Sequence, residues 1–188
     1  MKIKKLLILS FILLCVGLFN ISEAAVKNKS NNNINSESSV LPQKGDIAVI
    51  VEAPDEHKSR VEADIINILI ARGYRIVDEA KMKKIRSASA KAQAARYALY
   101  GEFDKILKIN SSYNVSATVI AQIIPEQVKE NPFKLSTATA SVSIIAVKSN
   151  GVKLGGKTSN SKQVGYTEFE AMRKAVDDAV KSGMSQLF

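Results

Sequence analysis

The residues best suited to do chemistry are two carboxylates, Glu102 and Asp104, in a run that alternates from Tyr97 onward. On a strand, residues two apart share a face. Two carboxylates held on one face are what glycoside hydrolysis requires, one of them an acid with a raised pKa. Little else in the chain offers reactivity. Among 188 residues there is one cysteine, Cys15, and one histidine, His57. Cys15 falls in an apolar amino-terminal run, so the remainder has no thiol for a disulfide, a metal site or a nucleophile. A lone histidine excludes His-cluster metal sites and leaves a Ser-His-Asp triad resting on His57, which is expected in an exposed loop. No catalytic residue, metal ligand or cofactor-binding residue is assigned, and no cofactor is expected.

Basic residues are the more numerous functional candidates. The formal net charge is +9, which favours anionic partners such as lipid head groups, wall polymers and acidic proteins. Lys81, Lys83, Lys84, Arg86, Lys91 and Arg96 fall on the outer face of an expected helix that carries no acid after Glu79. Lys148, Lys153, Lys157 and Lys162 surround a hairpin and the loop after it. The candidate partner-binding residues are therefore Lys148, Lys153, Lys157, Lys162, Lys83, Lys84 and Arg86. Nucleic acid is not an expected partner, because the basic helix lacks aromatic residues for base stacking and the chain begins with a secretion pattern.

That pattern has three parts: Lys2, Lys4 and Lys5, the apolar run from Leu6 to Phe19, and Ser22-Glu23-Ala24 with small residues at a cleavage site. It predicts a signal peptide over 1–24, with lipidation of Cys15 as the alternative. Residues 25–44 are rich in Asn, Ser and Lys and predict a flexible tether. A single α+β domain then spans 45–188.

Within that domain, Asp46 to Glu52 is a short β-branched apolar run, which predicts a buried strand. Ser59 and Glu62 form a capping box before a helix with Val61, Ile65, Ile68 and Leu69 on one face. Gly73 supplies its left-handed end. Tyr74 to Val77 is a second strand, and Asp78 caps a helix reaching about Tyr97. Strands are expected from Leu99 to Asp104, Tyr113 to Gln122, Thr137 to Lys148 and Val152 to Lys157. Pro125 to Pro132 and Thr158 to Gly165 read as loops. Asn150-Gly151 between β runs is a strong hairpin signal, since both turn positions tolerate positive φ. Thr167 and Glu170 cap a last helix whose inner stripe runs Phe169, Met172, Val176, Ala179, Val180, Gly183 and Leu187. These elements make an α+β fold: one mixed β-sheet of about five or six strands, two helices from βα units, and a C-terminal helix packed on it.

Tyr100-Gly101-Glu102, the long strand pair, the Asn150-Gly151-Val152 turn, Gly165 and the helix carrying Ala171, Ala175 and Ala179 occur in an order that resembles the bacterial envelope domains related to the TolB amino-terminal domain. That group includes the curli secretion channel subunit, the middle domain of flagellar assembly protein T, and the lipoprotein activator of penicillin-binding proteins. The resemblance covers about residues 45–188. It implies a periplasmic, outer-membrane-associated adaptor or scaffold, not an enzyme, whose partner is an envelope protein or a peptidoglycan-associated complex; the basic helix face adds an anionic lipid surface as a further expected partner. The alternatives are a small-ligand or lipid-binding periplasmic protein and a wall glycan hydrolase.

Overall fold

The computed structural model describes residues 41, 42 and 45–187. The signal peptide, Cys15, cleavage after Ala24 and most of the tether lie outside the described residues. Leu41, assigned to the tether, is buried at 1% exposure, so the folded part reaches back at least that far.

The chain runs β1 (Asp46–Glu52), α1 (Asp55–Ala71), β2 (Arg75–Ile76), α2 (Glu79–Ala92), α3 (Ala94–Leu99), α4 (Asp104–Ser112), β3 (Ala117–Glu130), β4 (Ser136–Lys148), β5 (Lys153–Gly165) and α5 (Glu168–Leu187). The five strands form one sheet in the order β2-β1-β3-β4-β5. β1 pairs in parallel with β2 and β3, while β3, β4 and β5 form an antiparallel meander. This is the mixed α+β sheet expected.

β1 lies inside the sheet with its five central residues buried, as a continuous apolar run requires. α1 and α5 pack beside each other, tied by an Arg60–Asp177 ion pair and by Arg72 Nη1 donating to the Met184 carbonyl at 3.2 Å. α5 covers the face that carries Ile144 and Ser159, which adjoin Gly183. On the opposite face, α4 docks through Thr118 Oγ1 donating to Asn110 Oδ1 at 2.6 Å.

Several local expectations are corrected. α1 begins at Asp55, before the Ser59-Glu62 box. Pro54, at φ −54, sets the entry angle, and Asp55 and Glu56 complement the helix dipole in the first turn. His57 is consequently not an exposed loop residue: it lies in that first turn at 2% exposure, with Nε2 3.4 Å from Glu56 Oε1. The helix expected to run on to Tyr97 breaks at Gln93, which adopts φ 50. The strand expected at Leu99–Asp104 does not form. Ala94, Ala95 and Ala98 are buried along α3, Gly101 turns at φ +92, and α4 follows. Six residues of alternation fit a short helix as well as a strand, and a glycine decided between them.

β3 runs through the expected Pro125–Pro132 loop as far as Glu130. Pro125 pairs with Ala140 at the edge of a register shift between Pro125 and Val128, and a bulge is where a sheet accommodates proline. β5 likewise runs through the expected Thr158–Gly165 loop. Its inward positions are Ser159, Ser161 and Gly165, all buried, so the strand has no apolar alternation to read.

Asp46 fastens the β2 edge. Its carboxylate accepts from Arg75 Nε at 2.5 Å and from Lys81 Nζ at 3.2 Å. Burial pushes its pKa up, but these two cations outweigh burial and hold it below 3.8. A depressed carboxylate stabilises the fold above its unfolded pKa and loses that effect as pH falls through the folded value. Asp46→Asn should therefore cost about 1 kcal/mol at pH 7, since the partners are partly solvated. Urea unfolding should show that deficit shrinking below pH 3.8; a deficit independent of pH would mean the carboxylate charge is not what stabilises.

Candidate interaction surface

The burial pattern of β4 separates two regimes. Ser136 to Ser143 alternates buried and half-exposed, whereas Ile144 to Val147 is buried on both faces. α4 and its neighbours thus cover only one half of their face of the sheet. The other half is open. Along it stand Gln122, Ile124 and Glu126 of β3, Thr139, Ser141 and Ser143 of β4, and Thr158, Asn160, Lys162 and Val164 of β5, placed together by the register. Hydroxyls cross-link this surface: Ser141 Oγ donates to Glu126 Oε1 at 2.5 Å, and Ser143 Oγ lies 3.0 Å from Thr158 Oγ1. A shallow groove of about 390 Å³ runs over Thr137, Thr139 and Lys162 beneath Asn131 and Pro132.

Exposed aromatic residues stand at the end of the sheet where the open half finishes. Ser136 pairs with Gly165, so the β3–β4 tip and the β5–α5 junction sit at the same end of the sheet. Phe133 is 83% exposed on the tip, and Tyr166 and Phe169 are 81% and 61% exposed at the junction. Val164 is also exposed. Both supports are ordered by hydrogen bonds. Asn131 Oδ1 accepts from the Phe133 and Leu135 amides at 3.0 and 3.1 Å, and Lys134 takes φ 58 to close the turn. At the junction, Thr167 Oγ1 accepts from the Glu170 amide at 3.1 Å, and Glu170 Oε2 accepts from the Tyr166 amide at 2.9 Å. The hydrogen bond from Lys174, followed by that from the Tyr166 amide, holds the Glu170 carboxyl below its ordinary value. Thr167 caps the helix as expected, but Glu170 reaches back to the Tyr166 amide and not to that of Thr167, and Phe169 is exposed instead of lying on the inner stripe of α5.

The expected lysine set is not brought together. Lys157 pairs with Ile144 on the α5 face, while Lys162 pairs with Thr139 on the open face. Lys148 ends β4 opposite Ala117. Lys153 folds over Gly156, where an added Cβ would meet its Cε at 2.9 Å. Lys83 and Lys84 line a separate cleft of about 610 Å³ with Ser87, Lys91 and Tyr113. Arg86 is not free for a partner, because it pairs with Glu62 at 2.5 Å and Glu79 at 3.0 Å.

Glu102 and Asp104 do not share a strand face. Glu102 follows the Gly101 turn and Asp104 opens α4. Both are exposed along a cleft of about 480 Å³, where Lys105 Nζ sits 3.3 Å above the Tyr97 ring. Among the described residues, no three His, Cys, Asp or Glu side chains gather to hold a metal ion, and no helix is long and apolar enough to cross a membrane.

The exposed aromatic residues escaped the sequence reading. Their signal is an aromatic residue between a turn-forming residue and a polar one: Phe133 between Pro132 and Lys134, and Tyr166 between Gly165 and Thr167.

No family model and no curated protein matches the sequence. Solved structures with a similar arrangement include the lipoprotein GNA1162 from Neisseria meningitidis, at 14% identity and TM-score 0.47, covering 76% of this chain and 99% of that one. The PelC dodecamer subunit from Paraburkholderia phytofirmans matches at 15% identity and TM-score 0.48, covering 78% and 89%. The LpoB C-terminal domain from Salmonella enterica matches at 9% identity and TM-score 0.38, covering 63% and 84%.

Proposed function

We propose that this protein is an exported, non-enzymatic adaptor of the bacterial cell envelope, of the TolB-like kind, that holds an envelope protein or peptidoglycan-associated complex at the open end of its sheet. The secretion pattern at the amino terminus supports the compartment. The observation that carries the binding role is the exposure of Phe133, Val164, Tyr166 and Phe169 at one end of the sheet, where an uncovered polar face finishes. Large apolar side chains gathered at one exposed end mark interaction surfaces more often than chance placement does. Aromatic side chains in particular supply contact area at low entropic cost.

A photo-crosslinking residue placed at position 133 or 166 in cells should trap one product of defined mass. The same residue at Lys108, an exposed position on α4, should trap none. Equal trapping at all three positions, or none at any, overturns the reading. Replacing Phe133, Tyr166 and Phe169 together with serine should abolish trapping from a probe at Val164 while leaving the circular dichroism spectrum unchanged.

A further inference from the structure

β5 presents an unusually long free edge. Among the described residues nothing pairs with its outer side, and it runs 13 residues, whereas β2 at the opposite edge has two. Every second residue of such a strand turns its N–H and C=O outward, ready to bond another strand. Charged residues blunt free edges, and here all the charge is of one sign: Lys153, Lys157 and Lys162 with no carboxylate on the strand. Pairing of β5 with a second copy would bring three lysines from each chain, and no acid, to one seam, and cross-strand like charges oppose pairing. The same three lysines attract a strand that carries carboxylates.

We propose that β5 accepts an extended acidic segment of the partner protein as a sixth strand, with two carboxylates five residues apart. This rests on the adaptor reading and names the partner's chemistry.

The spacing follows from sidedness. The register shift between Ala146 and Val147 and the adjoining Gly155-Gly156 bend the beginning of β5, which leaves Lys157 to Val164 as the regular stretch. Lys157 lies on the α5 face with Ser159, Ser161 and Gln163. Lys162 lies on the open face with Thr158, Asn160 and Val164. On the α5 face Asp178 accepts from Ser161 Oγ at 2.7 Å and from Gln163 Nε2 at 3.2 Å. A guest carboxylate beside Ser161 or Gln163 would meet that negative charge. Acids are therefore admitted opposite Lys157 and opposite Lys162, on the two faces of the guest strand. The exposed Val164 favours an apolar guest residue two positions before the acid that faces Lys162, if the guest runs antiparallel. The guest then reads apolar, non-acid, acid, non-acid, three residues of any type, acid.

A fluorescent ten-residue peptide with valine first and glutamate third and eighth should bind the full-length protein saturably by anisotropy. Moving the second glutamate to the seventh position puts both acids on one face, and should weaken binding several-fold at equal charge. Lys157→Glu with Lys162→Glu should weaken the original peptide about tenfold or more, as loss of two complementary pairs implies. A peptide with lysines at the third and eighth positions should bind that double variant and not the natural protein. Failure of the natural protein to bind the original peptide, equal binding of the two glutamate spacings, or unchanged binding by the double variant each overturns the proposal. The adaptor reading is tested separately: if the product trapped at position 133 survives in the double variant, a partner exists and strand addition at these lysines is not how it is held.

Discussion

Gly165→Ala destabilises the domain by about 2–3 kcal/mol, at the upper end of the usual cost of overpacking. A Cβ at Gly165 would stand 2.5 Å from the Ala171 nitrogen and 3.0 Å from its Cα, with the Glu170 carbonyl carbon at 3.1 Å. All of these are backbone atoms in the first turn of α5, so no rotamer change relieves the contact. The helix must shift. It carries Ala171, Ala175, Val176, Ala179, Val180 and Met184 into the core at near-zero exposure, and a shift would loosen all of them. Gly183 is the control. A Cβ there meets only side-chain atoms, the first being Ile144 Cδ1 at 3.1 Å. That methyl can yield, and alanine gains up to about 1 kcal/mol of helix propensity over glycine. Gly183→Ala is therefore expected to stay within about 1 kcal/mol of the natural chain. Urea unfolding of the two variants checks this, and a Gly165→Ala protein as stable as the natural one would show that α5 is not seated against β5 as described.

Arg86→Ala costs about 3 kcal/mol at neutral pH, the lower end of the range for breaking a buried pair because the guanidinium is one-third exposed. Its partner Glu62 is 7% exposed. Burial pushes the Glu62 carboxyl above 4.5, and Arg86 pulls it part of the way back. Without Arg86 the folded-state pKa climbs further. A raised folded pKa means that the folded state holds the proton more tightly, so the contribution is favourable at low pH and is lost as pH rises above 4.5. The Arg86→Ala deficit should therefore be small at pH 4 and large at pH 7.5. Equal deficits at both would assign the loss to packing of the arginine stem. Glu62→Gln combined with Arg86→Met removes both charges and should recover most of the stability.

The parts of the fold that were legible in the sequence are those where one physical signal had no competitor. Asp46–Glu52 is apolar on both faces because β1 is flanked by strands and covered by helices. Asp78 caps α2, with Lys81 N donating to it at 2.8 Å, and Gly73 and Gly151 take the positive φ their positions demand. The illegible parts had their signal muted. α3 and α4 are too short for a helical period to outweigh alternation. β5 buries serine and glycine where strands normally bury valine, because α5 lies close against it. Among the candidate surface residues, the lysines were visible, but their division between two faces depends on the strand that hid in the polar loop. The aromatic residues were invisible as a group, since Phe133 and Tyr166 come to the same end of the sheet only when Ser136 meets Gly165.

The sheet also implies an order of assembly. β3, β4, β5 and α5 follow one another in sequence and touch in that order, so their contacts close short loops. β1 must instead find β3 in parallel, with everything from Glu52 to Ala117 in between. Closing the longer loop is entropically dearer, and non-local parallel pairing is the slow step in folds of this kind. For a chain made amino terminus first, β1 appears before the strands that flank it. Its run of buried aliphatic residues stays without its long parallel partner until Ala117–Glu130 has been made, which makes that strand the natural client of a holding chaperone before β3 appears.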